Sequence, residues 1–153
     1  MRVARVGIIA AAMLAAATMA WAQKPDFSGT WTLDPAASGA PAGGGGRGGG
    51  RGGLGQSGTV KQTADTLTID RMMGDNKVTL TYKLDGSESK NTMMGRGGQS
   101  LEVVSTAKWD GDKLVIMTKT GQGESTSTWS LDGNMLTIET VGARGTQKLV
   151  YKK

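Results

Sequence analysis

The sequence predicts an all-β domain: an antiparallel up-and-down meander of short strands that closes into a barrel. Three observations lead there. From Thr59 onward apolar and polar residues alternate with a period of two. Asp-Gly pairs fall between the alternating runs, where tight hairpins need them. No stretch after residue 22 carries the 3.6-residue apolar stripe of an amphipathic helix.

The first 22 residues divide like a secretory leader. Arg2 and Arg5 give a positive start, Val6 to Ala20 is an apolar run, and Ala20-Trp21-Ala22 is a small-residue cleavage site. Residues 1–22 are therefore expected to be a signal peptide, cut between Ala22 and Gln23. The alternative is a retained anchor, but the run is short against the roughly 20 apolar residues of a bilayer span. Residues 23–153 then form one domain, exported to the periplasm or the extracellular space, with no membrane span.

A first strand is expected at Phe27 to Leu33. It is followed by the segment 39–58, which contains Gly43-Gly44-Gly45-Gly46-Arg47-Gly48-Gly49-Gly50-Arg51-Gly52-Gly53. This composition buries little and has the largest backbone entropy to lose on ordering, so a flexible, disordered loop is expected there. Alternating runs follow: Leu67 and Ile69; Val78, Leu80, Tyr82 and Leu84; Leu101, Val103, Ser105, Ala107 and Trp109. Leu114 with Ile116, Trp129 with Leu131, Leu136 with Ile138, and Leu149 with Tyr151 continue the pattern. Asp85-Gly86, Asp110-Gly111 and Asp132-Gly133 punctuate them. Eight to ten short strands result, and a meander of that length covers its apolar face by closing on itself.

Composition excludes much chemistry. There is no Cys and no His. Disulfides are impossible, zinc loses its usual ligands, and Ser-His-Asp or Cys-His catalysis cannot be assembled. The remaining carboxylates are scattered, and several sit at turns where Asp has an ordinary conformational role, as in Asp110-Gly111-Asp112. Ser87-Glu88-Ser89-Lys90 is a polar loop pattern. No enzyme and no cofactor is expected. The net charge of +5 falls to +3 once Arg2 and Arg5 leave with the leader. That mild excess does not make a nucleic-acid groove. The Arg47, Arg51 and Arg96 Gly-rich stretches lack interleaved aromatics and read as solvated loops, with contact to an anionic envelope surface as their alternative role.

The phrase Asp26-Phe27-Ser28-Gly29-Thr30-Trp31-Thr32-Leu33-Asp34 resembles the opening of the calycins, which comprise lipocalins and intracellular lipid-binding proteins. It is most similar to lipocalin-like domains of small exported bacterial proteins. The end of the chain, Lys148 to Lys153, is similar to the last strand of the lipid-binding branch. The resemblance implies a meander barrel in which Gly29 and Trp31 are structural. It also implies that a late basic residue, Arg144, Lys148 or Lys152, covers the Trp31 ring. Two features depart from the pattern. The Gly-rich segment stands where the lipid-binding branch has its helical lid, and the carboxylate-binding R-x-Y reads Leu149-Val150-Tyr151.

The leading expectation is a non-catalytic, monomeric, exported protein that holds a small hydrophobic ligand inside the barrel. Its candidate contacts are Tyr82, Trp109, Trp129 and Tyr151. The alternative is a filled barrel that meets another envelope component. A third reading takes Met72, Met73, Met93 and Met94 as soft ligands for Cu(I), against the ordinary use of Met to fill irregular gaps.

Overall fold

Ten strands realise the alternation. They are β1 (Gly29–Leu33), β2 (Ser57–Gln62), β3 (Thr66–Met73), β4 (Asn76–Lys83), β5 (Glu88–Met94), β6 (Ser100–Asp110), β7 (Lys113–Thr120), β8 (Gly123–Asp132), β9 (Met135–Gly142) and β10 (Gly145–Lys152). The structure is a computed structural model and describes residues 24–39, 53–94, 98–121, 123–143 and 145–153. The expected leader, its cut between Ala22 and Gln23, and Arg47, Arg51, Arg96 and Arg144 lie outside these residues. No helix occurs among the described residues, and none is long and apolar enough to cross a membrane.

The period of two becomes a wall with an inside and an outside. On β4, Val78, Leu80 and Tyr82 are buried while Thr79, Thr81 and Lys83 are exposed. β6, β7 and β9 repeat the rule with Val103 and Ala107, Leu114 and Ile116, and Leu136 and Ile138 inside. The Asp-Gly turns all link strands at one end of the barrel. Gly86, Gly111 and Gly133 have φ of 85°, 63° and 59° there, a region that an L side chain resists.

The sheet order is β4-β3-β2-β1-β10-β9-β8-β7-β6-β5, antiparallel throughout. Sequence neighbours pair everywhere except β4 and β5, and β1 pairs with β10, joining the two ends of the strand series. Leu33 faces Tyr151 in that join. The hydrogen-bonded ladder stops between β4 and β5, and side chains bridge the seam. Asn91 Oδ1 accepts from the Thr81 N–H at 2.8 Å, and Asn91 Nδ2 donates to the Thr81 carbonyl at 3.0 Å. Ser89 Oγ accepts from the Lys83 N–H at 2.8 Å. An amide side chain here takes the part of a missing strand partner, so the barrel is nearly closed although its ladder is not.

The disordered-loop expectation for 39–58 needs correction at its edges; residues 40–52 lie outside the described residues. Gly39 forms a bridge to Lys148. Gly53, Leu54 and Gly55 are buried, and Ser57 already belongs to β2. Glycine composition measures the entropy a segment must lose. It does not count the hydrogen bonds that offset the loss when a receptive wall is available.

The core runs through the barrel from Phe27 and Trp31 to Tyr82, Trp129 and Tyr151. Phe27 stacks on Trp109 at 5.9 Å between centroids and meets the Trp129 ring edge-on at 5.7 Å. Trp31 Nε1 donates to the Phe27 carbonyl at 2.8 Å. These four aromatics plug the end that carries the Asp-Gly turns.

Lys153 Nζ sits over Trp31, 5.2 Å from the ring centroid. This corrects the expected partner. Lys152 points outward to Asp34 instead, and Lys148 is exposed. Gly29 explains the geometry, because a Cβ on it would lie 2.3 Å from Lys153 Cε, and its φ is 138°. The G-x-W glycine thus makes room for the cation that covers the tryptophan.

Candidate functional site

The alternation that builds β3 places Leu67, Ile69 and then Arg71 on the inner face. Arg71 is 3% exposed, as buried as the apolar residues around it. It faces Gly58 across β2 and Val78 across β4. No carboxylate pairs with it among the described ion pairs. Its Nη1 donates to the Gly53 carbonyl, and its Nη2 contacts Met73 Sδ at 3.9 Å. Its Nε has no partner among the described residues. Burial pulls the guanidinium pKa down, while nearby Tyr82 and Tyr151 act the other way. Arginine nonetheless stays charged in proteins. The barrel therefore carries a positive charge inside, and removing such a charge from water without a counter-charge is costly.

Two phenols share this region. Burial pushes the Tyr82 hydroxyl up to about 12, against the pull of the Arg71 charge. Tyr151 is also raised by burial, partly offset by its bond to Leu54 and by Arg71. Both are neutral hydrogen-bond donors at ordinary pH. Tyr151 Oη donates to the Gly55 carbonyl at 3.1 Å and accepts from the Leu54 N–H at 3.0 Å. Gly53, Leu54 and Gly55 thus lie inside the barrel, held by Arg71 on one side and Tyr151 on the other.

Toward the end away from the aromatic plug the inner wall is lined with hydroxyls. Ser105 and Ser127 are buried. Ser105 pairs with Thr118, and Ser127 with Thr140, each at 2.9 Å. The interior is therefore amphipathic, with aromatics at one end and hydroxyls and one guanidinium elsewhere.

The four expected ligand contacts separate into two groups. Tyr82 and Tyr151 stand by Arg71. Trp109 and Trp129 belong to the aromatic plug, where Lys24 Nζ also lies 5.5 Å from the Trp109 centroid. Trp129 Nε1 is buried without a partner among the described residues. The methionines diverge as well. Met72 and Met94 are 53% and 47% exposed, whereas Met73 and Met93 pack against the core. Met73 sulfur touches a guanidinium, a poor neighbour for a cationic metal. Of two depressions, one of about 60 Å³ lies on outward-facing positions beside Glu88, Thr106 and Lys119, and one of about 280 Å³ is lined by Lys61, Asp70, Met72 and Lys77 and also by Gly58 and Arg71.

Arg71 and the Gly53–Gly55 segment are the residues that sequence reasoning misses. The signal for Arg71 is its phase, since it is the next inward position after Leu67 and Ile69. The signal for Gly53–Gly55 is the lone Leu54 within a run otherwise free of large apolar residues.

No family model matches the chain, and no curated protein matches it. Solved structures do. The chain is similar to a "REP1-NXSQ fatty acid transporter" at 14% identity and TM-score 0.59, over 82% of this chain and 94% of that one. The fluorescent protein UnaG matches at 19% identity and TM-score 0.60, over 83% and 96%. Fatty-acid-binding protein 1 of Echinococcus granulosus matches at 12% identity and TM-score 0.59, over 83% and 96%. At these identities the likeness establishes the fold, a calycin-like antiparallel β-barrel of ten strands, and nothing finer.

Proposed function

We propose that this protein is a non-catalytic, exported carrier of a small hydrophobic molecule with an anionic head group, bound inside the barrel. The observation that carries the reading is Arg71. An unpaired, water-excluded guanidinium adds little to a purely structural core, since well-packed apolar residues there do as well or better. It does serve an acid head group, which supplies the missing charge and an acceptor for Nε. Tyr151 and Tyr82 supply further donors, and the apolar interior takes the body. Two of the structural neighbours are named as a fatty acid transporter and a fatty-acid-binding protein, which accords with this reading. Export rests on the leader-like residues 1–22, and the Asp26–Asp34 phrase supports kinship with lipocalin-like domains of small exported bacterial proteins.

The test uses an anionic apolar dye, 1-anilinonaphthalene-8-sulfonate. The folded protein is expected to enhance its emission, and Arg71→Met to weaken binding about 10-fold or more, the loss of a charged hydrogen bond. A folded protein that leaves the dye dark would favour the second reading, a solid barrel meeting an envelope component. Leu54, fully buried inside the barrel, is the observation on that side.

A further inference from the structure

The Gly53–Leu54–Gly55 segment occupies the groups an acid head would use. Two of its three carbonyls, those of Gly53 and Gly55, sit on Arg71 and on the Tyr151 hydroxyl, and its one side chain is fully buried. We propose that this segment is a built-in stand-in for ligand, and that a carboxylate-headed amphiphile enters the barrel by displacing it. The inference rests on the reading of Arg71 as a head-group site.

Three features support exchange over permanent packing. First, the segment satisfies its receptors incompletely. A neutral carbonyl leaves the guanidinium charge uncompensated and Nε without an acceptor, whereas a carboxylate offers two oxygens and the opposite charge. Second, the segment is held by few groups. Its described polar contacts with the wall are the bonds of Gly53, Leu54 and Gly55 to Arg71 and Tyr151. The chain rejoins the sheet only with the bond from the Leu33 N–H to the Gln56 carbonyl at 2.8 Å. Third, the wall is shaped to receive it. Gly58 faces inward, and a Cβ there would stand 3.0 Å from Leu54 Cβ and 3.1 Å from the Leu54 carbonyl oxygen. The seat of Leu54 exists because residue 58 has no side chain.

Displacement makes the segment a competitor, so weakening its seat must tighten ligand binding. Burial of one leucine side chain sets the expected gain at roughly 10- to 100-fold in affinity. Two variants reach this by different routes. Leu54→Gly removes the side chain that fills the space. Gly58→Ala leaves the segment's own residues intact and crowds Leu54, its Cβ also meeting the Asp70 carbonyl oxygen at 3.3 Å, and it replaces neither Arg71 nor Tyr151.

The experiment is calorimetric titration of the full chain with sodium dodecanoate, together with amide hydrogen exchange. Both variants are expected to bind dodecanoate at least about 10-fold more tightly than the parent. The Leu54 amide, bonded to Tyr151 in the free protein, is expected to lose protection on saturation while the Leu114 and Ile138 amides keep theirs. Unchanged or weaker affinity in both variants overturns the inference, as does a Leu54 amide still protected in the saturated complex. Arg71→Met separates the two levels. If the parent binds and Arg71→Met binds poorly, but the seat variants gain nothing, the stand-in falls and the head-group site survives. If dodecanoate binds none of the proteins, or binds without regard to Arg71, both fall.

Discussion

Arg71 is hidden in the sequence by its own chemistry. A charged residue two places after Ile69 reads as the end of a buried series, because burial of an unpaired cation is costly. Its position in the strand says otherwise, and the structure follows position. This predicts an unusual mutational result. Arg71→Met keeps the length and apolar stem and removes the unpaired charge, so thermal denaturation is expected to show stability kept or raised, by up to about 4 kcal/mol. A loss of 3 kcal/mol or more would mean that the guanidinium holds the barrel together. Trp31 was legible from its G-x-W context, and so was its need for a cation. Which cation was not, because the choice of Lys153 depends on the space above Gly29, a contact between opposite ends of the chain.

The strands were the most readable feature. Period-two alternation and Asp-Gly turns are local signals, and local signals survive folding in a meander because strands pair with their sequence neighbours everywhere but at the β4–β5 seam. The seam between β4 and β5 was not readable, since an Asn in an alternating run looks like any polar residue. Asn91 in fact holds the seam through two bonds to the Thr81 backbone. Asn91→Ala is expected to cost about 2 kcal/mol, about 1 for each bond. Hydrogen exchange should show the Thr81 amide less protected, with β8 and β9 unaffected. Equal loosening across all strands would argue against a separate seam. The Gly53–Gly55 segment was unreadable for the opposite reason: its composition argues for disorder, and only receptors brought from β3 and β10 order it.

The barrel as a unit has an asymmetric titration. Without His, nothing in the side-chain inventory titrates near neutrality. Four aspartates are held below their usual 3.8: Asp34 by Lys152, Asp70 by the Thr79 hydroxyl, and Asp26 and Asp85 by Ser28 and Ser87. A depressed folded-state pKa gives stability that is present above 3.8 and lost as pH falls through the folded values. Tyr82 is the reverse case. Its neutral form is favoured by folding, so its contribution is complete below 10.0 and is lost as pH rises toward about 12. Melting temperature is thus expected to be flat from about pH 5 to about pH 9 and to fall on both sides. A step near pH 6 or 7 would contradict this charge inventory.

Fold class was legible because it follows from repetition along the chain. The interior was not, because its contents come from β3, β4, β10 and one glycine-flanked leucine that meet only once the barrel closes. The comparison that bears on this interior is equilibrium binding of dodecanoate against dodecanol, two ligands with closely similar chains and different heads, to the parent protein and to Arg71→Met. The parent is expected to prefer dodecanoate by about 10-fold or more, and Arg71→Met to bind the two alike. Equal affinity for acid and alcohol in the parent would show that the buried charge recognises nothing.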